Sequence, residues 1–304
     1  MSPSINYARL PTERPNPRSR FLDRLSVANI LRLMNREDAR VPRAVTRVIP
    51  HTARAVSLIV EAVRRGGRLF FLGAGTSGRL GVIEAAECPP TFNTPSGMVQ
   101  AIIAGGRRAV FRSREGAEDD RRQARREVLR RVRPDDVVVG VAASGITPFV
   151  EAGLRAAHAK GASTILVTCH YTARVRAKAD VLIALQVGPE LIAGSTRLKG
   201  GTATKLILNM LTVATMVRLG KVYGGLMVDV RPTSRKLRAR AMRIIQELAH
   251  VSGRRGTLVL RQARGNIKVA IVMAACQTTN QKASWLLKRH GGSLRSVLEK
   301  WGRF

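Results

Sequence analysis

Short apolar runs alternate with segments of helical period through the first two-thirds of the chain, and helical period alone fills the rest. Residues 69–72, 98–104, 137–142, 164–168 and 181–185 are short, continuously apolar and bounded by Gly, Pro or charged residues, so they read as buried strands. Between them, residues 80–87, 107–114, 120–132 and 148–160 carry helical spacing, and Pro89-Pro90 is expected to stop the first of these helices. Two helices are predicted ahead of the first strand, over 26–35 and 41–65, the second broken at Pro50. Strands alternating with helices predict an α/β fold whose parallel sheet is covered on both faces. A helix over 203–219 and a Gly-containing connection over 220–229 follow. From Pro232 onward only helices are predicted, over about 233–249, 255–263, 266–276, 281–289 and 292–300, as a small bundle suited to packing or dimerisation. The resulting division is 1–65, a Pro- and Arg-rich arm (1–22) with helices packing on the next domain; 66–230, the sheet domain; and 231–304, the helical tail.

Composition narrows the class. A chain of 304 residues can bury a full core. Its longest apolar run, 206–217, is interrupted by Asn and Thr and is too short to span a bilayer, and the first residues lack the apolar centre of a signal peptide. A cytoplasmic location is expected. The net charge of +33 comes from 43 Arg and 10 Lys spread along the whole chain. Phosphate contacts dominate nucleic-acid affinity, but no aromatic platform or zinc finger accompanies these cations, so nucleic acid is not the expected partner. A basic field still helps gather a small phosphorylated substrate. Cys88, Cys169 and Cys276 stand far apart and the histidines are isolated, so no disulfide or metal site is expected.

The chemistry concentrates in three loops. The first strand runs into Gly73-Ala74-Gly75-Thr76-Ser77-Gly78-Arg79, the third into Ala143-Ser144-Gly145-Ile146-Thr147-Pro148, and a third hydroxyl run spans Gly194 to Thr202 just before a helix. Each offers backbone N–H groups and hydroxyls at a helix start, where an anion is favoured. The first lacks the Lys-Ser/Thr ending of a nucleotide loop and does not fit Gly-x-Gly-x-x-Gly. Two of the loops fall at the carboxyl ends of parallel strands, where ligands of such sheets sit. Together they indicate a phosphate or phosphosugar pocket. Carboxylates lie close by in sequence: Glu84 and Glu87, one turn apart, and Glu115 and Glu118 after the second strand. Two carboxylates from different elements can supply general acid and base catalysis; pairing with the abundant arginines is the other reading.

At this point the chain resembles a known family. Gly73-Ala74-Gly75-Thr76-Ser77-Gly78-Arg79-Leu80-Gly81, Glu87-Cys88-Pro89-Pro90-Thr91-Phe92, Glu115-Gly116-Ala117-Glu118-Asp119-Asp120 and Gly194-Ser195-Thr196-Arg197 are similar to signatures of the N-acetylmuramic acid 6-phosphate etherases. So are Ile103-Ala104-Gly105-Gly106, Leu226-Met227-Val228-Asp229-Val230 and His290-Gly291-Gly292, and the similarity runs in order from Thr12-Glu13 into the tail. The resemblance implies a sugar isomerase (SIS) domain, a three-layer α/β/α sandwich with a parallel sheet, followed by a UBA-like helical bundle. It also implies a homodimer, no metal or organic cofactor, and cleavage of the lactyl ether of N-acetylmuramic acid 6-phosphate. By motif position Glu87 resembles the acid/base that protonates the departing lactate oxygen, and Glu118 the second catalytic carboxylate; the resemblance leaves open which takes the sugar C2 proton. Thr76, Ser77, Ser144 and Thr147 become the phosphate ligands, with Lys199 neutralising charge. Ile146 stands where the family usually carries Arg, Gly225 where it carries Asn, and Gly200 where it carries Ala. The alternative of a different class is a non-catalytic phosphosugar sensor resembling the glucokinase regulatory protein; retention of both glutamates speaks against it.

Overall fold

In the computed structural model, which describes residue 10, residues 12–169 and residues 179–302, the five apolar runs pair as one parallel sheet. Residues 1–9 and 11 of the expected arm lie outside the described residues. Three helices lead in: α1 (Val27–Asp38), capped by the Ser26 hydroxyl, α2 (Val41–Thr46) and α3 (Ile49–Arg64), with Pro50 in the first turn of α3 rather than inside a longer helix. The chain then alternates β1 (Leu69–Gly73), α4 (Gly75–Phe92), β2 (Val99–Ile103), α5 (Arg108–Phe111), α6 (Arg121–Arg131), β3 (Val137–Val141), α7 (Pro148–Ala159), β4 (Ser163–Thr168) and β5 (Val181–Ala184) before the long α8 (Lys199–Arg218). The strand order is β2-β1-β3-β4-β5, and every pair is parallel. The order reverses between β1 and β3, and a crevice opens outside the strand ends at such a reversal.

The layers follow from strand alternation. Phe70, Leu72, Val138, Ala142 and Leu166 point to one face and bury against Ala124 and Val128 of α6 and Phe149, Val150 and Leu154 of α7. α4 covers the other face, so close to β1 that a Cβ on Gly81 would stand 2.7 Å from Phe71 Cβ. The lower end of the sheet is pinned by Asp136, buried, which accepts from Arg68 N at 2.8 Å, Arg68 Nη2 at 2.7 Å and Arg133 N at 2.7 Å. This fixes the register of β1 against β3 at the end away from the crevice.

Two helices depart from the sequence pattern. α4 does not stop at Glu87 but continues through Pro89 and Pro90 to Phe92. Proline removes only its own N–H bond and crowds the preceding turn. Here the prolines fall in the last turn, which is closed by Asn93 N donating to Pro89 O at 2.9 Å, with Asn93 left-handed (φ 51°) as the stop. α8 begins at Lys199, a turn earlier than its spacing indicates. Its first N–H groups are met by a carboxylate: Glu190 accepts from Lys199 N at 3.0 Å and Gly200 N at 2.7 Å.

The chain separates into two compact units, residues 1–86 with 96–212, and 87–95 with 213–304, with the divisions falling inside α4 and α8. The second unit contains α9 (Arg235–Ala249), α10 (Gly253–Gln262), α11 (Ile267–Ala275), α12 (Asn280–Arg289) and α13 (Leu294–Trp301), capped by Ser234, Ser252, Asn266, Thr279 and Ser293 respectively. α11 is buried along its length and forms the centre of the bundle. Its Lys268 ties the unit together, donating to Gly220 O at 3.2 Å and Gly292 O at 3.0 Å and pairing with Asp229 at 3.2 Å. Burial pushes the Lys268 ammonium below its ordinary range, and Asp229 opposes that shift.

Candidate functional site

The turn after β1 is shaped by its glycines. A Cβ on Gly73 would meet Gly78 N at 2.8 Å, and one on Gly78 would meet Gly73 O at 2.7 Å. The strand end and the first turn of α4 therefore touch, and Thr76 and Ser77 stand half-buried on that turn, whose N–H groups have no carbonyl one turn back. After β3, Gly145 takes a left-handed conformation (φ 74°), and Thr147 occupies the N-cap of α7 without capping it through its hydroxyl. The hydroxyl stays available to a ligand. The third loop closes on the first: a Cβ on Gly201 would lie 3.5 Å from Thr196 O and 3.7 Å from Thr76 Cγ2.

These three loops line a single cleft of about 370 Å3 at the β1/β3 reversal. Thr76, Ser77, Ser144 and Thr147 are brought together there, joined by Ile146, Gly194 and Thr196. Glu118 lines it too, on a short 3-10 turn (Ala117–Asp119) entered through left-handed Gly116 (φ 72°), with Asp119 beside it. Asp120 then caps α6 by accepting from Gln123 N at 2.8 Å. Among the described residues no Lys or Arg lines the cleft. Its electrostatic welcome for an anion comes from the amino ends of α4 and α7, each carrying a partial positive charge, and from hydroxyls.

Lys199 is not at this cleft. The structure places it, 1% exposed, in a buried ion pair with Glu37 of α1, and the lysine cannot neutralise a phosphate while so engaged. Burial pushes the Glu37 carboxyl up, but hydrogen bonds from Lys199, Arg18 and Asn16 together with the Lys199 charge outweigh it and hold the group at about 2. Neighbouring Glu190 is shifted upward, chiefly by burial, against the pull of the Lys199 and Gly200 N–H groups. Cys169, close to Gly200, is pushed up to about 12 by burial and by the Glu190 charge, and remains a neutral thiol. Glu84 is buried and accepts from Thr212 Oγ1 at 2.7 Å and from Asn209, a packing role within the first unit. Glu87 is exposed on the part of α4 that belongs to the second unit, whereas all residues lining the cleft belong to the first. Glu115 lines a smaller pocket with Arg79, Ser113 and Arg114.

Thr196 comes from the third hydroxyl run, and the cleft also contains residues to which the sequence pattern assigns no site role: Leu10 and Glu13 from the amino-terminal segment, and Asp119. For Glu13 the one available signal was Thr12-Glu13 as the start of the family similarity. Among the described residues there is no group of three or more His, Cys, Asp or Glu that could hold a metal ion, and no helix long and apolar enough to cross a membrane.

Fold and cleft together define a SIS domain: residues 118–214 match the SIS domain family, and residues 51–158 match the glucokinase regulatory protein N-terminal SIS domain. The N-acetylmuramic acid 6-phosphate etherase of Symbiobacterium thermophilum is 50% identical over 264 residues, covering 87% of this chain and 88% of that protein. That of Gloeothece citriformis is 47% identical over 94% of each chain. The chain belongs to the N-acetylmuramic acid 6-phosphate etherase family. Among solved structures, the phosphoheptose isomerase GmhA of Neisseria gonorrhoeae is similar over 62% of this chain and 99% of its own, with a TM-score of 0.49 and 18% identity.

Proposed function

We propose that this protein cleaves the D-lactyl ether of N-acetylmuramic acid 6-phosphate, giving N-acetylglucosamine 6-phosphate and D-lactate, as a carbon–oxygen lyase of cell-wall amino-sugar recycling. The observation that carries the proposal is the cleft that gathers Thr76, Ser77, Ser144 and Thr147 with Glu118, in a chain of this family. The four hydroxyls and the amino ends of α4 and α7 hold the phosphate. In the open-chain sugar the aldehyde acidifies the C2 proton, and the C3 ether oxygen lies β to that carbonyl. A carboxylate removes the C2 proton, the C3–O bond breaks as lactate leaves with a proton, and water adds at C3 of the unsaturated aldehyde while a proton returns to C2. Glu118, in the cleft, takes the C2 proton, and Glu87 protonates the lactate oxygen. The role of Glu87 rests on its motif position, as does the homodimer; Val27 and Leu31, exposed one turn apart on α1, are the kind of side chains a second copy would bury.

Ile146 lies in the cleft where the family usually carries Arg, and among the described residues no side-chain cation lines the cleft. Gly200 in place of Ala is a mild change: a Cβ there would stand 3.2 Å from Glu190 Oε1 and 3.4 Å from Cys169 Sγ, within reach of small adjustments. Incubating the purified chain with N-acetylmuramic acid 6-phosphate is expected to release one D-lactate per sugar, measured with D-lactate dehydrogenase. Binding of phosphosugars without lactate release at high protein concentration would instead favour a sensor.

A further inference from the structure

The cleft holds a carboxylate that the proposed reaction does not use. We propose that Glu13, carried over the cleft by the amino-terminal segment, is a specificity-determining residue that accepts hydrogen bonds from the neutral hydroxyl or acetamido N–H groups of the sugar. This rests on the phosphosugar reading above and adds to it the group that reads the sugar rather than the phosphate.

The segment ahead of α1 is fastened where its side chains turn inward. Thr12 and Asn16 are each only 4% exposed. Thr12 O accepts from Gly194 N at 2.9 Å, and Glu13 N donates to Leu10 O at 3.0 Å, closing a turn. The Asn16 amide donates to Glu37 Oε2 at 2.9 Å and to Pro189 O at 3.3 Å, while its oxygen accepts from Arg18 N at 3.0 Å. Leu10 and Glu13 are left facing the cleft. Buried, hydrogen-bonded polar groups on either side of Glu13 make this a fixed strap.

The position of the carboxylate is equally defined. Glu13 Oε1 accepts from the Thr12 hydroxyl at 3.2 Å, and Oε2 lies 2.9 Å from where a Cβ on Gly194 would stand. Gly194 is left-handed (φ 79°) as well, so a side chain there would be strained and would push the carboxylate aside. No salt bridge engages Glu13 among the described residues, in a chain of net charge +33. A carboxylate is an acceptor only, and it repels phosphate. It therefore belongs at the sugar end of the cleft, with the phosphate at the helix amino ends of the hydroxyl loops.

Titration calorimetry on the full chain separates the two ends, with N-acetylglucosamine 6-phosphate reading the whole cleft and inorganic phosphate reading the phosphate end alone. Glu13→Ala is expected to weaken the sugar phosphate at least tenfold and to leave inorganic phosphate within twofold or tighter, with Glu13→Gln intermediate for the sugar phosphate. The thermal midpoint is expected to stay put, because Glu13 is exposed. Steady-state kinetics with N-acetylmuramic acid 6-phosphate should show the change in KM, with kcat within about threefold. Unchanged sugar-phosphate affinity in Glu13→Ala would overturn the assignment, and so would equal losses for both ligands, which mark a disturbed strap rather than a lost sugar contact. A wild-type chain that binds phosphate but no sugar phosphate would overturn the phosphosugar reading, and this inference with it.

Discussion

Glu118→Gln is expected to lower the rate of lactate release by about 10^2–10^4-fold, the range by which a positioned general base contributes. The amide keeps the shape of the side chain and removes its ability to take a proton. Glu118 stands exposed on the turn between Gly116 and Asp120, without an ion pair among the described residues, so the fold does not depend on its charge. Thermal stability is therefore expected to be unchanged, and N-acetylglucosamine 6-phosphate to bind within a few-fold of wild type. Stopped or coupled lactate assays at saturating substrate make the comparison. Turnover within threefold of wild type would remove Glu118 from the chemistry and leave it as a lining residue only.

Lys199→Met is expected to destabilise the protein by about 3–5 kcal/mol, because it leaves the Glu37 carboxylate buried without its nearest cation. Arg18 at 2.9 Å and Arg40 at 3.5 Å remain on the other oxygen but are themselves about half exposed. The sign of the pH dependence follows from the same pair. The Glu37 carboxyl is held at about 2 in the folded chain, against an ordinary 4.5. Its contribution is thus fully present above about 4.5 and is lost as pH falls toward 2. Urea unfolding from pH 7 down to pH 3 should show the wild type losing stability in that window, and Lys199→Met losing less there, having already lost the pair. Equal stability of variant and wild type at pH 7 would contradict the buried pair. Because Glu37 also anchors Asn16, the variant is expected to raise KM through a loosened strap.

What the sequence showed and what it hid differ by the range of the interactions involved. The strands were legible because each is a continuous apolar run, and the hydroxyl loops because Gly73, Gly78 and Gly145 are demanded locally by tight turns. The convergence of the first two loops depends on strand order, which sets β1 beside β3 at the reversal, whereas the third is carried to the cleft by the chain that leads from β5 into α8. Lys199 is adjacent in sequence to the Gly194–Thr196 loop, while the partner that holds it, Glu37, comes from α1, 162 residues earlier in the chain. A lysine beside a phosphate loop and a lysine in a buried ion pair look alike until the partner is seen. The continuation of α4 past Glu87 was hidden for the opposite reason: proline is a strong local signal, but its effect depends on whether the turn is still needed, and here the helix ends one turn later at Asn93. Glu13 carries no local signal of a site role, because nothing in a Pro- and Arg-rich segment announces that it folds back over a cleft.

The elimination–hydration route breaks the C3–O bond rather than the bond to the lactyl carbon, and the oxygen atoms of the two products report which bond was broken. If the C3–O bond breaks and water then adds at C3, the reaction run in 18O-labelled water yields N-acetylglucosamine 6-phosphate heavier by one 18O at its C3 hydroxyl, and D-lactate whose hydroxyl oxygen is unlabelled. Mass spectrometry of both products, with fragmentation to locate the label on the sugar, is the measurement. Label in the lactate hydroxyl, with an unlabelled sugar C3, would contradict the mechanism.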